Sequence, residues 1–125
     1  MRFSDSQPIY LQIANNVRKS ILTGALSAGD QLMSTTQYAT TYRINPATAN
    51  KAFALLVDDG LVEKRRGIGM FVKEGAHERL LEAGRTAYAD ETLAPALAEG
   101  IALGLSSPEI LHMAKSSLAK LAKEK

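Results

Sequence analysis

Apolar side chains recur along this chain at helical, then extended, then again helical spacing. Ile9, Ile13, Val17 and Ile21 repeat every four residues, which predicts an amphipathic helix over residues 8–23 stopped by Gly24. The turn GALSAGDQL separates it from a second, short helix. Ser34 opens that helix and Gln37, three positions on, completes a capping box; it runs to about Tyr42. Arg43 and Ile44 make a tight turn, after which Asn45 is a good N-cap and Pro46 fits a first helical position. In the third helix Ala49, Phe53, Leu56 and Val57 fall on one face, which turns Ala47, Thr48, Asn50, Lys51 and Ala54 outward. Two short helices joined by about three residues have helix-turn-helix spacing.

From Leu61 the periodicity becomes extended. Leu61 and Val62, then Met70, Phe71 and Val72, read as two strands of a hairpin joined across Gly67-Ile68-Gly69. Lys64, Arg65 and Arg66 are expected at the tip, flanking Gly67. Three consecutive cations repel one another in a turn without a partner, whereas they suit a loop laid along phosphates or inserted in a minor groove. Three helices followed by a two-stranded wing make a winged helix-turn-helix. The small side chains at the start of the third helix would let its backbone come close to base edges in a major groove.

Helical spacing returns at Ala76, with Leu80, Leu81, Tyr88, Leu93, Leu97, Ile101 and Leu105 as apolar positions. Pro95 has no N–H and would clash with the carbonyl of Glu91, so a kink or restart is expected near residues 90–92. Ser106 and Glu109 form another capping box, opening a last helix with Leu111, Ala114, Leu118 and Leu121 at helical spacing. Two such helices cannot cover their own apolar stripes, and the same pair from a second chain is the economical cover. The expected architecture is therefore mainly α. A winged helix-turn-helix domain occupies residues 1–75, and a short two-helix dimerisation region occupies 76–125. Leu80, Leu81, Tyr88, Leu93, Leu97, Ile101, Leu105, Leu111, Leu118 and Leu121 are the expected dimerisation residues.

Composition narrows the chemistry. Residues 1–75 carry nine Lys or Arg against six Asp or Glu, and residues 76–125 six against seven, so the first part is the better partner for a polyanion. The absence of cysteine excludes disulfides, thiolate metal sites and cysteine nucleophiles. His77 and His112 lie far apart with no carboxylates at ligand spacing, and no phosphate-binding glycine motif precedes a helix. No metal, cofactor or enzymatic activity is expected. The N-terminus MRFSDSQPIY lacks the apolar run of a signal peptide, and no apolar stretch is long enough to span a bilayer, so the expectation is a cytoplasmic protein with no membrane partner.

The order of the pieces resembles a known family. PIYLQI, GALSAGDQL, the third helix and DDGLVEKRRGIGMFV, over residues 8–73, resemble the DNA-binding domain of GntR-type bacterial transcription regulators. INPATANKAF and LAEGIALGLSSPEIL are similar to the YtrA subfamily, with its short helical tail. The resemblance implies a homodimeric regulator, a repressor, on an inverted-repeat operator in double-stranded DNA. Its recognition-helix positions fall on Asn45, Ala47, Thr48, Asn50 and Lys51, and its wing positions on Arg65, Arg66 and Gly67, beside the wing cation Lys64. Ser34 and Thr36 stand at the DNA-facing start of the second helix. There the sequence departs from the family, with Met33 in place of the usual Pro and Thr36 in place of the usual Arg. A hydroxyl replaces a guanidinium weakly, which leaves more of the specificity to the third helix and the wing. Tails of this subfamily are too small for the large ligand pockets of other GntR proteins and leave room only for an unidentified small effector. A winged-helix protein-interaction module and an RNA-binding winged helix remain open as alternatives.

Overall fold

The computed structural model describes residues 2–124. Cα proximity divides the chain into two units, one ending at Glu82 and the other beginning at Ala83.

The first unit is a winged helix-turn-helix. Helix α1 spans Ile9–Thr23 and buries Ile13, Ala14, Val17 and Ile21; Gly24, with φ of 85°, ends it. Helix α2 spans Thr35–Tyr42. The expected capping box is present, with the Gln37 N–H donating to Ser34 Oγ at 3.1 Å and the Ser34 N–H donating to Gln37 Oε1 at 3.0 Å. Arg43 closes α2 in the left-handed region at φ 54°, the conformation that lets a tight turn follow. Helix α3, Pro46–Asp58, starts on Asn45, whose Oδ1 accepts the Ala47 N–H at 2.9 Å.

The buried face of α3 is Ala49, Ala52, Phe53 and Leu56. Val57, expected in the core, is 40% exposed, and Ala52 takes the inward place. Packing against α1 explains the exchange. A methyl side chain at position 52 permits the two helices to approach closely, and the buried stripe then passes to one side of Val57. Tyr38 fills the remaining space, edge-on to Phe53 with ring centroids 5.4 Å apart. Burial raises the pKa of its phenol, and the neighbouring Tyr42 raises it further.

Strands β1, Val62–Arg65, and β2, Gly69–Val72, form an antiparallel hairpin in which Val62 faces Val72 and Arg65 faces Gly69. A third extended piece joins β2 from the other side. The Val72 N–H donates to Asp30 O and the Leu32 N–H to Met70 O, so the turn between α1 and α2 anchors the wing. Helix α4, Ala76–Ala87, follows immediately; Ala76 is buried and Leu80 packs against the same core.

In the second unit a single π-helical turn, Tyr88–Leu93, leads into α5, Ala94–Ala102. The restart expected near residues 90–92 is present as a widened turn, with Pro95 in the first turn of α5. The Ala94 N–H reaches back to Ala89 O, and the extra residue accommodates the ring while backbone angles stay helical. Helix α6, Ser107–Lys123, starts at the Ser106–Glu109 capping box, and the hydrogen bonds from Ser106 hold the Glu109 carboxyl below its usual range. A Cβ on Gly100 would sit 3.0 Å from Ile110 Cδ1, so glycine is what lets α5 and α6 touch. None of the residues of the π-helical turn, α5 or α6 is buried.

Candidate nucleic-acid interface

Three elements of the first unit converge on one face: the start of α2, the outer side of α3 and the hairpin. Between them lies an open groove of about 480 Å³, lined by Ser34 and Thr35, by Asn50, Phe53, Ala54 and Val57, and by Lys64, Ile68 and Met70. The groove brings Ser34, Asn50 and Lys64 together. Leu32, Phe53, Val57, Ile68 and Met70 give it apolar surface, and Gln31 and the Asp58 carboxylate line it beside the other polar groups. Thr36, Asn45, Ala47, Thr48, Lys51, Arg65, Arg66 and Gly67 lie outside it.

On α3, Ala47, Asn50 and Lys51 are exposed and Thr48 is half-buried. The Asn45 Oδ1 accepts the capping bond, which leaves its amide nitrogen and one oxygen lone pair for a partner. Asn50 carries no hydrogen bond among the described residues, so both its donor and its acceptor are available outward. Lys51 is different. Its ammonium lies 4.1 Å from the centroid of the Tyr10 ring, which ties the middle of α3 to α1.

The wing does not gather its cations at the tip as the sequence pattern suggested. Strand β1 continues through Arg65, and only Arg66, Gly67 and Ile68 form the turn, closed by the Ile68 N–H donating to Arg65 O at 2.9 Å. Consecutive strand residues point to opposite faces, so pairing separates what the sequence places side by side. Lys64 faces the groove. Arg65 lies on the other face, its guanidinium 4.0 Å from the Phe71 ring and 3.3 Å from Glu63 Oε1. Arg66 projects from the turn without a partner among the described residues.

Two cations that pattern reading left unassigned lie beyond the two ends of α3. Arg43, between α2 and α3, is exposed and carries a positive φ, a conformation visible only in coordinates. Arg79, on α4, reaches the C-terminal end of α3 and donates from Nε to Asp59 O at 2.7 Å. Neither has a sequence signature of its own.

The expected dimerisation residues divide. Leu80 and Leu81 are half-buried in the first unit. Tyr88, Leu93, Leu97, Ile101, Leu111, Leu118 and Leu121 are all exposed, Ile101 and Leu118 to 67% and 66%; Leu105 is half-buried beside Gly100. Among the described residues no helix is long and apolar enough to cross a membrane.

Comparison with known proteins agrees with this fold. A family model described as bacterial regulatory proteins, gntR family, matches residues 9–72. The HTH-type transcriptional repressor YtrA of Bacillus subtilis is 37% identical over 81 residues, which are 65% of this chain and 62% of that repressor. The HTH-type transcriptional regulator YhcF of the same organism is 31% identical over 115 residues, 92% of this chain and 93% of its own. A crystal structure of a transcriptional regulator from Oenococcus oeni superposes with a TM-score of 0.80 at 28% identity, covering 94% of this chain and 97% of that one.

Proposed function

The chain belongs to the GntR family of bacterial regulatory proteins, and from that premise we propose that it represses transcription as a homodimer bound to an inverted-repeat operator in double-stranded DNA. The observation that carries the reading is the grouping of Ser34, Asn50 and Lys64 around one groove, with Arg66 on the adjoining turn and without a partner among the described residues. In this reading α3 enters a major groove, where Asn50 offers the paired donor and acceptor that an adenine edge accepts, and Thr48 and Ala47 let the helix backbone approach. Arg66 and Lys64 lie against the phosphates on either side of the wing, and the hydroxyls of Ser34 and Thr36 face phosphate at the start of α2.

Dimerisation follows from energetics. The α5 and α6 helices bury no residue of their own, and a second copy supplies the missing apolar contact. It also presents two recognition helices to successive major grooves about 34 Å apart. That YtrA is a repressor supports the regulatory sense. The protein would act in the cytoplasm, where the duplex is.

The test is fluorescence anisotropy on an inverted repeat selected by this protein from a random duplex library, and on a scrambled duplex, across a salt series. The reading requires tighter binding to the selected repeat and affinity that falls steeply with salt. Tighter binding to structured RNA, or salt-independent behaviour with no duplex binding, sinks it in favour of an RNA-binding or protein-binding winged helix. Sedimentation of Ile101→Asp against the unmodified protein tests the dimer: the substitution should leave a monomer.

A further inference from the structure

The most exposed large apolar side chain described in the first unit is Ile68, 65% accessible at the tip of the wing. It lies outside the core, and the hairpin pairing ends with Arg65 opposite Gly69, so no strand residue faces it. Its backbone is nevertheless held on both sides. The Ile68 N–H donates to Arg65 O at 2.9 Å, and Ile68 O accepts from Gln31 Nε2 at 3.0 Å, on the segment between α1 and α2 that anchors the wing. Gly67, with φ of 76°, makes the turn, and a Cβ there would meet nothing within 4 Å, so the tip is narrow as well as fixed. Arg66 stands beside it, exposed and without a partner among the described residues. A solvated turn is ordinarily built from polar residues, and a branched aliphatic group held in water forgoes the gain of burial. Ile68 is placed where only a partner can cover it.

We propose that Ile68 is a specificity-determining apolar contact with DNA: its side chain enters the minor groove as a wedge against the sugar walls and the base step beneath, while Arg66 stays on the flanking phosphate. The inference rests on the duplex-binding reading, which it deepens by naming what the wing selects. A cation and an aliphatic group on one narrow tip match a groove that is negative in potential and walled by apolar sugar faces. The minor groove of B-form DNA is about 6 Å wide, so a branched side chain enters only if the groove opens. Opening costs least at a pyrimidine–purine step, which unstacks readily, and most in a stiff A-tract. Ile68 therefore confers a preference for a deformable step under the wing without a hydrogen bond to any base. Because Arg65 and Gln31 hold the tip beforehand, little ordering is left to binding.

The test compares the full protein with Ile68→Thr, which keeps the branch at Cβ but removes the apolar end, and with Ile68→Leu, which keeps the apolar volume. Ile68 lies outside the core, so all three should fold, and thermal unfolding checks this. Each protein selects duplexes from a random library; anisotropy across a salt series gives affinity, and energy transfer between dyes at the two duplex ends gives the bend. The unmodified protein should enrich a pyrimidine–purine step at a constant distance from the bases read by α3, and should bend the selected duplex. Ile68→Thr should bind that duplex about tenfold more weakly, with a smaller bend, an unchanged salt slope and no enrichment of the step. Ile68→Leu should keep affinity, bend and enrichment. Failure of the unmodified protein to bind any duplex overturns the duplex-binding reading and this inference with it. A selected duplex that stays straight, or an Ile68→Thr variant that keeps affinity and bend or loses affinity through a lower salt slope, overturns this inference alone.

Discussion

Lys51 places its ammonium over the face of the Tyr10 ring at 4.1 Å, so the recognition helix is bound to α1 by one of the side chains it turns outward. Removing either partner should cost about 0.5–1 kcal/mol of stability. The coupling energy from Tyr10→Leu, Lys51→Met and the double variant, measured by urea denaturation, should be of the same size. Additive losses would show that the ring and the cation do not interact.

The three wing cations should separate in binding experiments as they separate in space. Arg66→Ala should weaken binding to selected and scrambled duplexes alike and lower the salt slope by about one unit. Arg65→Ala should act mainly on stability, by about 0.5–1 kcal/mol, because its guanidinium is stacked on Phe71. Equal salt-slope changes for the two variants would contradict the assignment of Arg65 to the far face of the hairpin.

Gly69 sits at φ 142°, and a Cβ there would come within 2.7 Å of Gln31 Nε2, the donor that reaches Ile68 O at 3.0 Å. Gly69→Ala should therefore cost about 1–3 kcal/mol through backbone strain and displacement of Gln31. Gln31→Ala in the same chain relieves the collision but not the strain, so the double variant should recover only part of the loss. Thermal unfolding of the three variants checks this, and a neutral Gly69→Ala would refute it.

Tyr38 makes the fold sensitive to alkali. Its phenol is raised by burial first and by Tyr42 second, so the neutral form is the one the core favours. The stability it contributes is fully present below the ordinary phenol value of about 10 and is lost as pH rises through the higher folded value. Urea midpoints followed from neutral to strongly alkaline pH should fall more for the unmodified protein than for Tyr38→Phe. Identical falls would place the alkaline transition elsewhere.

Asn50 and Thr48 should carry sequence preference. Substituting either by Ala should relax discrimination at one base pair, at a cost of about 1–3 kcal/mol on the selected repeat and little on the scrambled duplex. Equal losses on both duplexes would exclude direct base reading by these side chains.

Much of this molecule was legible because its signals are local. Ser34–Gln37 and Ser106–Glu109 cap helices through bonds spanning three residues, and the Asn45-Pro46 start of α3 needs no distant partner. The change of period at Leu61 marked the hairpin, since strands and helices place side chains at different repeats. The errors lie where a distant contact decides. Whether Ala52 or Val57 lies inward depends on how closely α1 packs. Whether Lys64 and Arg65 belong to a tip or to a strand depends on the pairing register with β2.

By itself the sequence determined the order of elements, their caps, the apolar stripes and the family to which the chain belongs, because these follow from periodicity and from bonds within a few residues. Only the tertiary structure decided which cations are available and which are spent. Lys51 is drawn to Tyr10 on α1, Arg65 is stacked on Phe71, and Arg79 is bound to Asp59 across 20 residues of chain. The formal charge of each is the same. Its partner is set by which elements meet in space, and that is a property of packing that no local spacing records.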